Sequence, residues 1–171
     1  HPIPEGVSFT QAAMVEPVAV AAHAVNLTPV ALNDTAVVVG SGMIGLFLIQ
    51  LLTAKGCGKV IAVDLSDEKL QVASQLGADV TLNPSRTQLA EQVRAMTGNR
   101  GADVTFEAVG MTESLRTAID CARKGATVTL VGNLAPEATI PLQDVVTRQI
   151  RLQGSCAICG EYPAALDMIA R

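Results

Sequence analysis

The chain has 171 residues, 49% of them hydrophobic and 2% aromatic, and 12 basic against 16 acidic side chains leave a formal charge of −4. This length suits one domain with a sizeable core. Mild acidity without a Lys/Arg cluster excludes a basic nucleic-acid or anionic-membrane surface, and so few aromatics leave no base-stacking platform or membrane belt. Mean hydropathy is high at +0.37, but no stretch approaches the roughly 20 apolar residues of a spanning helix, so no membrane partner is expected. Cys57, Cys121, Cys156 and Cys159 are too sparse for a disulfide scaffold and no signal peptide opens the chain, so a reducing cytoplasm is expected. The chain starts at His1-Pro2-Ile3-Pro4 without Met and stops at Arg171 within a helical pattern, so a piece of a longer protein is expected.

Residues 1–9 read as extended. Thr10 to Asn26 reads as one Ala/Val-rich helix, with Ser8 and Thr10 as candidate caps and the stop at Asn26 or near Pro29. From there strands and helices alternate. Ala36–Val39 is a short β-branched run between Asp34 and Gly40, suited to a strand buried on both faces. Ile44–Lys55 is apolar at helical spacing and ends at Gly56. Lys59–Asp64 is the second strand, Ser66–Leu76 the next helix, and Val80–Leu82 the third strand. Thr87–Thr97 is a helix, Asp103–Val109 the fourth strand, Ser114–Arg123 a helix stopped by Gly125, and Ala126–Val131 the fifth strand. Leu142–Arg148 reads as a short helix, Ile150–Gln153 as a sixth strand, and Glu161–Arg171 opens a last helix. Strands alternating with helices predict βαβ units, hence an α/β protein with a three-layer, doubly wound parallel sheet (a Rossmann fold) of about six strands, preceded by one helix.

Val39-Gly40-Ser41-Gly42-Met43-Ile44-Gly45 carries the glycine spacing G-x-G-x-x-G. The match is weak alone, but here it directly follows a predicted strand and opens a predicted helix. Gly40 would permit the tight turn, Gly42 the approach of a pyrophosphate, and Gly45 close packing of helix on strand, while the helix N-terminus offers unpaired amides to the anion. Asp64 ends the second strand 24 residues after Gly40 (64 − 40), where its carboxylate can reach the adenosine ribose and repel a 2′-phosphate. No Arg lies at 64–68, so NAD is expected over NADP; Lys69, one turn into the next helix, either approaches the same ribose or is a solvated lysine. Ala108-Val109-Gly110 and Val131-Gly132-Asn133 fall at the same carboxyl edge, where small residues leave room for a ring or simply make turns.

Together the residues resemble the central part of the zinc-dependent medium-chain alcohol dehydrogenases, in their polyol branch of sorbitol, xylitol, butanediol, threonine and sugar-phosphate dehydrogenases. The resemblance spans the whole chain and rests on Ala13-Met14-Val15-Glu16-Pro17-Val18-Ala19-Val20, the VVVGSGMIG turn, KVIAVDLSDEKL, Leu76-Gly77-Ala78-Asp79, DVTFEAVG and LQGSCAICGEYPAAL. It implies residues 1–33 as a linker and helix from the junction with a catalytic domain, residues 34–171 as an NAD-binding Rossmann domain, and a catalytic domain outside the chain. It implies that most ligands of a catalytic zinc lie upstream, with Glu16 at the zinc as ligand or near neighbour. Pro17 within a helical pattern suggests a local break that would aim Glu16 into a cleft; otherwise Glu16 is an exposed helix acid. It places Ser155-Cys156-Ala157 in a loop lining the nicotinamide pocket, so Cys156-x-x-Cys159 is read as loop packing ahead of metal binding or redox chemistry. His23 reads as a packing or capping residue. The implied chemistry is hydride transfer between a secondary alcohol or polyol and NAD, with no catalytic residue in this chain, which alone should bind cofactor and be inactive. The implied assembly is a homodimer or homotetramer, with the apolar run Ala138-Thr139-Ile140 as an edge segment.

Three other readings remain open. A zinc-independent quinone or enoyl reductase of the same superfamily is disfavoured by Asp64 and Glu16. A methyltransferase using S-adenosylmethionine would normally have G-x-G-x-G, one residue shorter than the turn here. A non-catalytic NAD-sensing module would share the fingerprint without a catalytic neighbour.

Overall fold

In the computed structural model, which describes residues 1–171, six strands form one sheet. Strand β1 (Thr35–Val39) sends Val37 and Val39 to one face and Ala36 and Val38 to the other; β2 (Lys59–Val63) does the same with Ile61 and Val63 against Val60 and Ala62. Apolar side chains on both faces require cover on both faces, the condition under which parallel sheets occur. The other strands are β3 (Val80–Leu82), β4 (Ala102–Glu107), β5 (Ala122–Leu130) and β6 (Arg151–Gly154). All pairs are parallel, in the order β3-β2-β1-β4-β5-β6. The chain runs outward from β1 to β3, then restarts at β4 on the other side of β1. That reversal opens a crevice at the carboxyl ends of β1 and β4, where ligands of open α/β sheets bind.

The helices are α1 (Phe9–Ala12), α2 (Val15–Leu27), α3 (Met43–Lys55), α4 (Asp67–Gln75), α5 (Leu89–Met96), α6 (Thr112–Cys121), α7 (Leu142–Thr147) and α8 (Tyr162–Ile169). One core joins Ala21 and Ala24 of α2, Leu48, Ile49 and Leu52 of α3 and Leu70 and Ala73 of α4 to Val38, Ala62 and Phe106 of the sheet. The other joins Val93 of α5 and Leu115, Ala118 and Ile119 of α6 to Val37, Ile61 and Val128. The expected three layers are therefore present. Phe106 is fully buried, which contributes about 1.5–3 kcal/mol. Ala165 of α8 packs outside the first layer on Val18 and Ala19 of α2. A buried hydroxyl pair fastens α2 to the sheet: Thr28 donates to the Ala24 carbonyl at 2.7 Å, and Thr129 of β5 to Thr28 at 2.6 Å. No helix is long and apolar enough to cross a membrane.

Five local expectations are corrected. The single helix over 10–26 is two helices, broken at Ala13–Met14. Ser8 caps α1 through a reciprocal pair with Gln11, so the first turn is locally satisfied and ends early. Pro17 causes no break; it lies in the first turn of α2, where its missing N–H costs nothing. Gly125 does not stop a helix, because α6 ends at Cys121 and Gly125, at φ +74°, lies inside β5. The run Ala138–Ile140 forms no strand; β6 is the sheet edge there, and Ile140 packs on the core. Strand β4 also stops at Glu107, two residues before the expected end.

Candidate functional site

The turn after β1 has the architecture its glycines predict. Gly40 has φ +98°, which L side chains rarely adopt, and a Cβ there would lie 2.6 Å from Val109 Cγ2. Gly42 is the N-cap of α3, and a Cβ on it would meet nothing within 4 Å. A Cβ on Gly45 would strike the Gly40 carbonyl oxygen, so its role is close packing of helix on turn. The first intrahelical bond runs from the Leu46 amide to the Gly42 carbonyl at 2.9 Å, and the amides of Gly42, Met43, Ile44 and Gly45 have no partner in the chain. Four consecutive free donors at the positive end of a 13-residue helix constitute an anion site.

Asp64 follows β2 and reaches across to this turn. Its Oδ2 accepts the Ser41 amide at 2.8 Å and its Oδ1 the Ser66 amide at 2.9 Å. Lys69 Nζ stands 3.9 Å from Oδ2, its side chain 55% exposed. Asp64 thus locks the glycine turn against the β2–α4 connection while keeping lone pairs for further donors, and Lys69, left open between a ribose contact and a solvated lysine, stands beside it with most of its side chain in solvent. The Ser41 hydroxyl is buried without a partner.

The other predicted residues lie along the same carboxyl edge, but two have a different use. Gly110 and Gly132 do not hold space open: a Cβ on either would collide with the other loop's backbone. Their smallness lets the loops after β4 and β5 interlock, with the Ala135 amide on the Gly110 carbonyl at 2.9 Å. Ala108, Val109 and Val131 are half-buried and Asn133 is exposed. A cavity of about 190 Å³ beside them is lined by Gly110, Gly132 and Asn133. Ser155 follows β6, with its amide on the Leu130 carbonyl at 2.9 Å and its hydroxyl buried and unpartnered; Cys156 is exposed and Ala157 has φ +53°. From β2 to β6 the edge spans four inter-strand steps, about 19 Å at ~4.8 Å each, room for an extended two-nucleotide ligand. Open space over Gly42, the free amides and the placement of Asp64 fit such a ligand.

Metal-binding residues fit less well. Glu16 is exposed in the first turn of α2, and no three His, Cys, Asp or Glu side chains converge to hold a metal within this chain. Cys156 and Cys159 are both exposed. His23 pairs through Nδ1 with Glu161 Oε1 at 2.8 Å, joining α2 to the start of α8. Sequence reasoning missed Glu107, 2% exposed, whose Oε1 accepts the Val109 and Gly110 amides. The sequence carried no signal for it, because its partners are backbone amides of a neighbouring loop.

Comparison with known proteins agrees with this geometry. The chain is 32% identical over 173 residues to sorbitol dehydrogenase of Bos taurus, covering 99% of the chain and 48% of the relative. It is 32% identical over 170 residues to (R,R)-butanediol dehydrogenase of Neisseria gonorrhoeae, with the same coverage. The chain thus spans about half the length of the curated relatives it matches. Among solved structures, 2R,3R-butanediol dehydrogenase of Bacillus subtilis superposes with a TM-score of 0.90 at 34% identity over 98% of this chain and 48% of that one. A zinc-binding dehydrogenase of Sinorhizobium meliloti, solved bound to NADP, gives a TM-score of 0.90 at 28% identity over 98% and 50%. Residues 44–171, from the first turn of α3 to the end of α8 and beyond, match the family described as zinc-binding dehydrogenase. With its glycine turn, switch-point crevice and sheet order all in that company, this chain belongs to the zinc-binding dehydrogenase family.

Proposed function

We propose that this chain is the cofactor-holding part of an NAD-dependent, zinc-containing dehydrogenase that oxidises a secondary alcohol or polyol. The observation that carries the reading is the grip of Asp64 on the Ser41 amide, beside four free amides at the start of α3. The amides of Gly42 to Gly45 would hold the pyrophosphate. Asp64 and Lys69 would hold the adenosine ribose, and the acid disfavours a 2′-phosphate, which supports NAD over NADP. The loops carrying Ala108 to Gly110, Val131 to Asn133 and Ser155 to Ala157 would take the nicotinamide half. A dinucleotide held there would supply hydride-accepting chemistry; the chain's own residues, the Gly42 to Gly45 amides, Asp64 and the loops after β4, β5 and β6, would bind and orient it.

A zinc would need ligands from the part of the relatives' length that this chain does not span, with Glu16 as the contribution from this side. The polyol class is supported by the names of the relatives. Exposed apolar Leu134, Leu142 and Val146 support a homodimer or homotetramer. Calorimetric titration of the protein with NADH and NADPH tests the reading. NADH should bind more tightly, and Asp64→Ala should weaken NADH about tenfold while narrowing the gap to NADPH. Absence of NADH binding, or an unchanged preference in Asp64→Ala, would refute it.

A further inference from the structure

Glu107 is the one acid buried among the β-strands, and neither the glycine turn nor Asp64 accounts for it. A buried carboxyl is costly unless its oxygens find donors, and this one finds them in one place. Its Oε1 accepts the amides of Val109 and Gly110, each at 2.8 Å. Its main-chain carbonyl accepts the amides of Val131 at 2.8 Å and Gly132 at 3.0 Å. The β4–β5 ladder ends at Glu107 opposite Leu130, so beyond it the two loops no longer share regular strand pairing. One residue therefore holds the loop after β4 with its side chain and the loop after β5 with its backbone.

The consequence reaches the glycine turn. Val109, positioned by the Glu107 side chain, places its Cγ2 2.6 Å from where a Cβ on Gly40 would stand. Gly110, positioned by the same oxygen, abuts Asn133 and Leu134. A shift of the β4 loop would disturb both the Gly40 turn and the floor under the nicotinamide half. We propose that Glu107 is a positioning residue for dinucleotide binding, fixing the loops after β4 and β5 as one rigid shelf. This rests on the cofactor reading above and extends it to Glu107, which lines the cavity beside Gly110, Gly132 and Asn133 and acts on the site through the two loops it holds.

The test is NADH titration and thermal melting of the full-length protein with Glu107→Ala, Glu107→Gln and Asp103→Asn. Asp103 is a half-buried acceptor at the opposite, amino edge, bonded to the Thr35 amide at 2.9 Å and Arg123 at 2.7 Å. Glu107→Ala should raise the NADH Kd about tenfold or more. Glu107→Gln, whose amide oxygen can still accept both amides, should stay within about threefold of wild type. Asp103→Asn should lower the melting temperature and leave Kd unchanged, because it is remote from the shelf. If Glu107→Ala does not fold, Glu107→Asp, one methylene too short to reach both amides, should show the same loss. A folded Glu107→Ala with wild-type Kd, or a Kd in Asp103→Asn that rises with lost stability, overturns the positioning role alone. Wild-type protein that binds no NADH overturns the cofactor reading and this inference with it.

Discussion

Gly45 packs so closely on Gly40 that a methyl group added to the helix residue would strike the turn's carbonyl oxygen. Gly42, between them, faces open space at φ −75°. Gly45 and Gly42, two glycines of one motif, are therefore expected to fail differently. Gly45→Ala should cost about 3 kcal/mol or more, since backbone must move to admit it. Gly42→Ala should fold with a melting temperature near wild type and lose NADH affinity, because its methyl would fill the space over the free amides. Equal losses of stability in the two variants, measured by denaturant melts, would contradict this division.

At the other end of the sheet, Asp103 sets an acid limit on stability. Burial works to raise its carboxyl, but the Thr35 amide and Arg123, with Arg100 further off, outweigh it and hold the group below the ordinary aspartate range. A folded-state value lowered in this way gives stability that is fully present above the unfolded value, about 3.9, and is lost as pH falls through the folded value. Asp103→Asn should therefore be less stable than wild type by about 2 kcal/mol at pH 7, and the two should converge as pH falls through the lowered folded value of Asp103. Urea midpoints at several pH values would show it; parallel curves would refute it.

How much of this was legible depends on whether a residue's job is local. The Gly40–Gly45 turn and Asp64 were readable because each needs only its own strand end and a fixed spacing, and the structure brings them within hydrogen-bond distance. Glu107 was not, because its partners are backbone amides, which carry no side-chain signature, on loops whose contact depends on β4 lying beside β5. Gly110 and Gly132 were read as making room for a ring or as plain turn residues, and neither reading contains their interlock, since sequence cannot say which loop faces which. The break at Ala13–Met14 was hidden by residues with good helix propensity on both sides; the Ser8–Gln11 cap that completes α1 so early involves a Gln that also suits a helix interior.

The four thiols should separate into two classes. Burial, reinforced by Asp34, pushes Cys57 up to about 11, and burial, reinforced by Asp120, pushes Cys121 up to about 12. Cys156 and Cys159 are exposed. Because the thiolate is the reacting species, iodoacetamide at pH 8 should label Cys156 and Cys159 quickly and Cys57 and Cys121 only after unfolding. Peptide mass spectrometry would read each site, and rapid native labelling of Cys121 would be incompatible with its burial.

His23 and Glu161 couple α2 to the loop that carries the two exposed cysteines. Glu161 Oε1 lies 2.8 Å from His23 Nδ1, and Oε2 accepts the Cys159 amide at 2.5 Å. Burial acts to raise the Glu161 carboxyl, but the Cys159 amide and His23 prevail and keep it below the usual glutamate range. Its contribution is accordingly present above the unfolded value, about 4.3, and disappears as acid protonates the folded form. Glu161→Ala strands the His23 ring nitrogen and the Cys159 amide together, so the melting temperature should fall, by about 2–4 °C for each kcal/mol lost in a chain of this size. Hydrogen exchange over residues 155–160 should rise in the same variant, while exchange in β1 and β2 stays as in wild type, because the contact lies on the α2–α8 side and touches neither strand. If the loop amides kept their protection in Glu161→Ala, the anchor would have to lie elsewhere in α8, in the packing of Ala165 and Leu166.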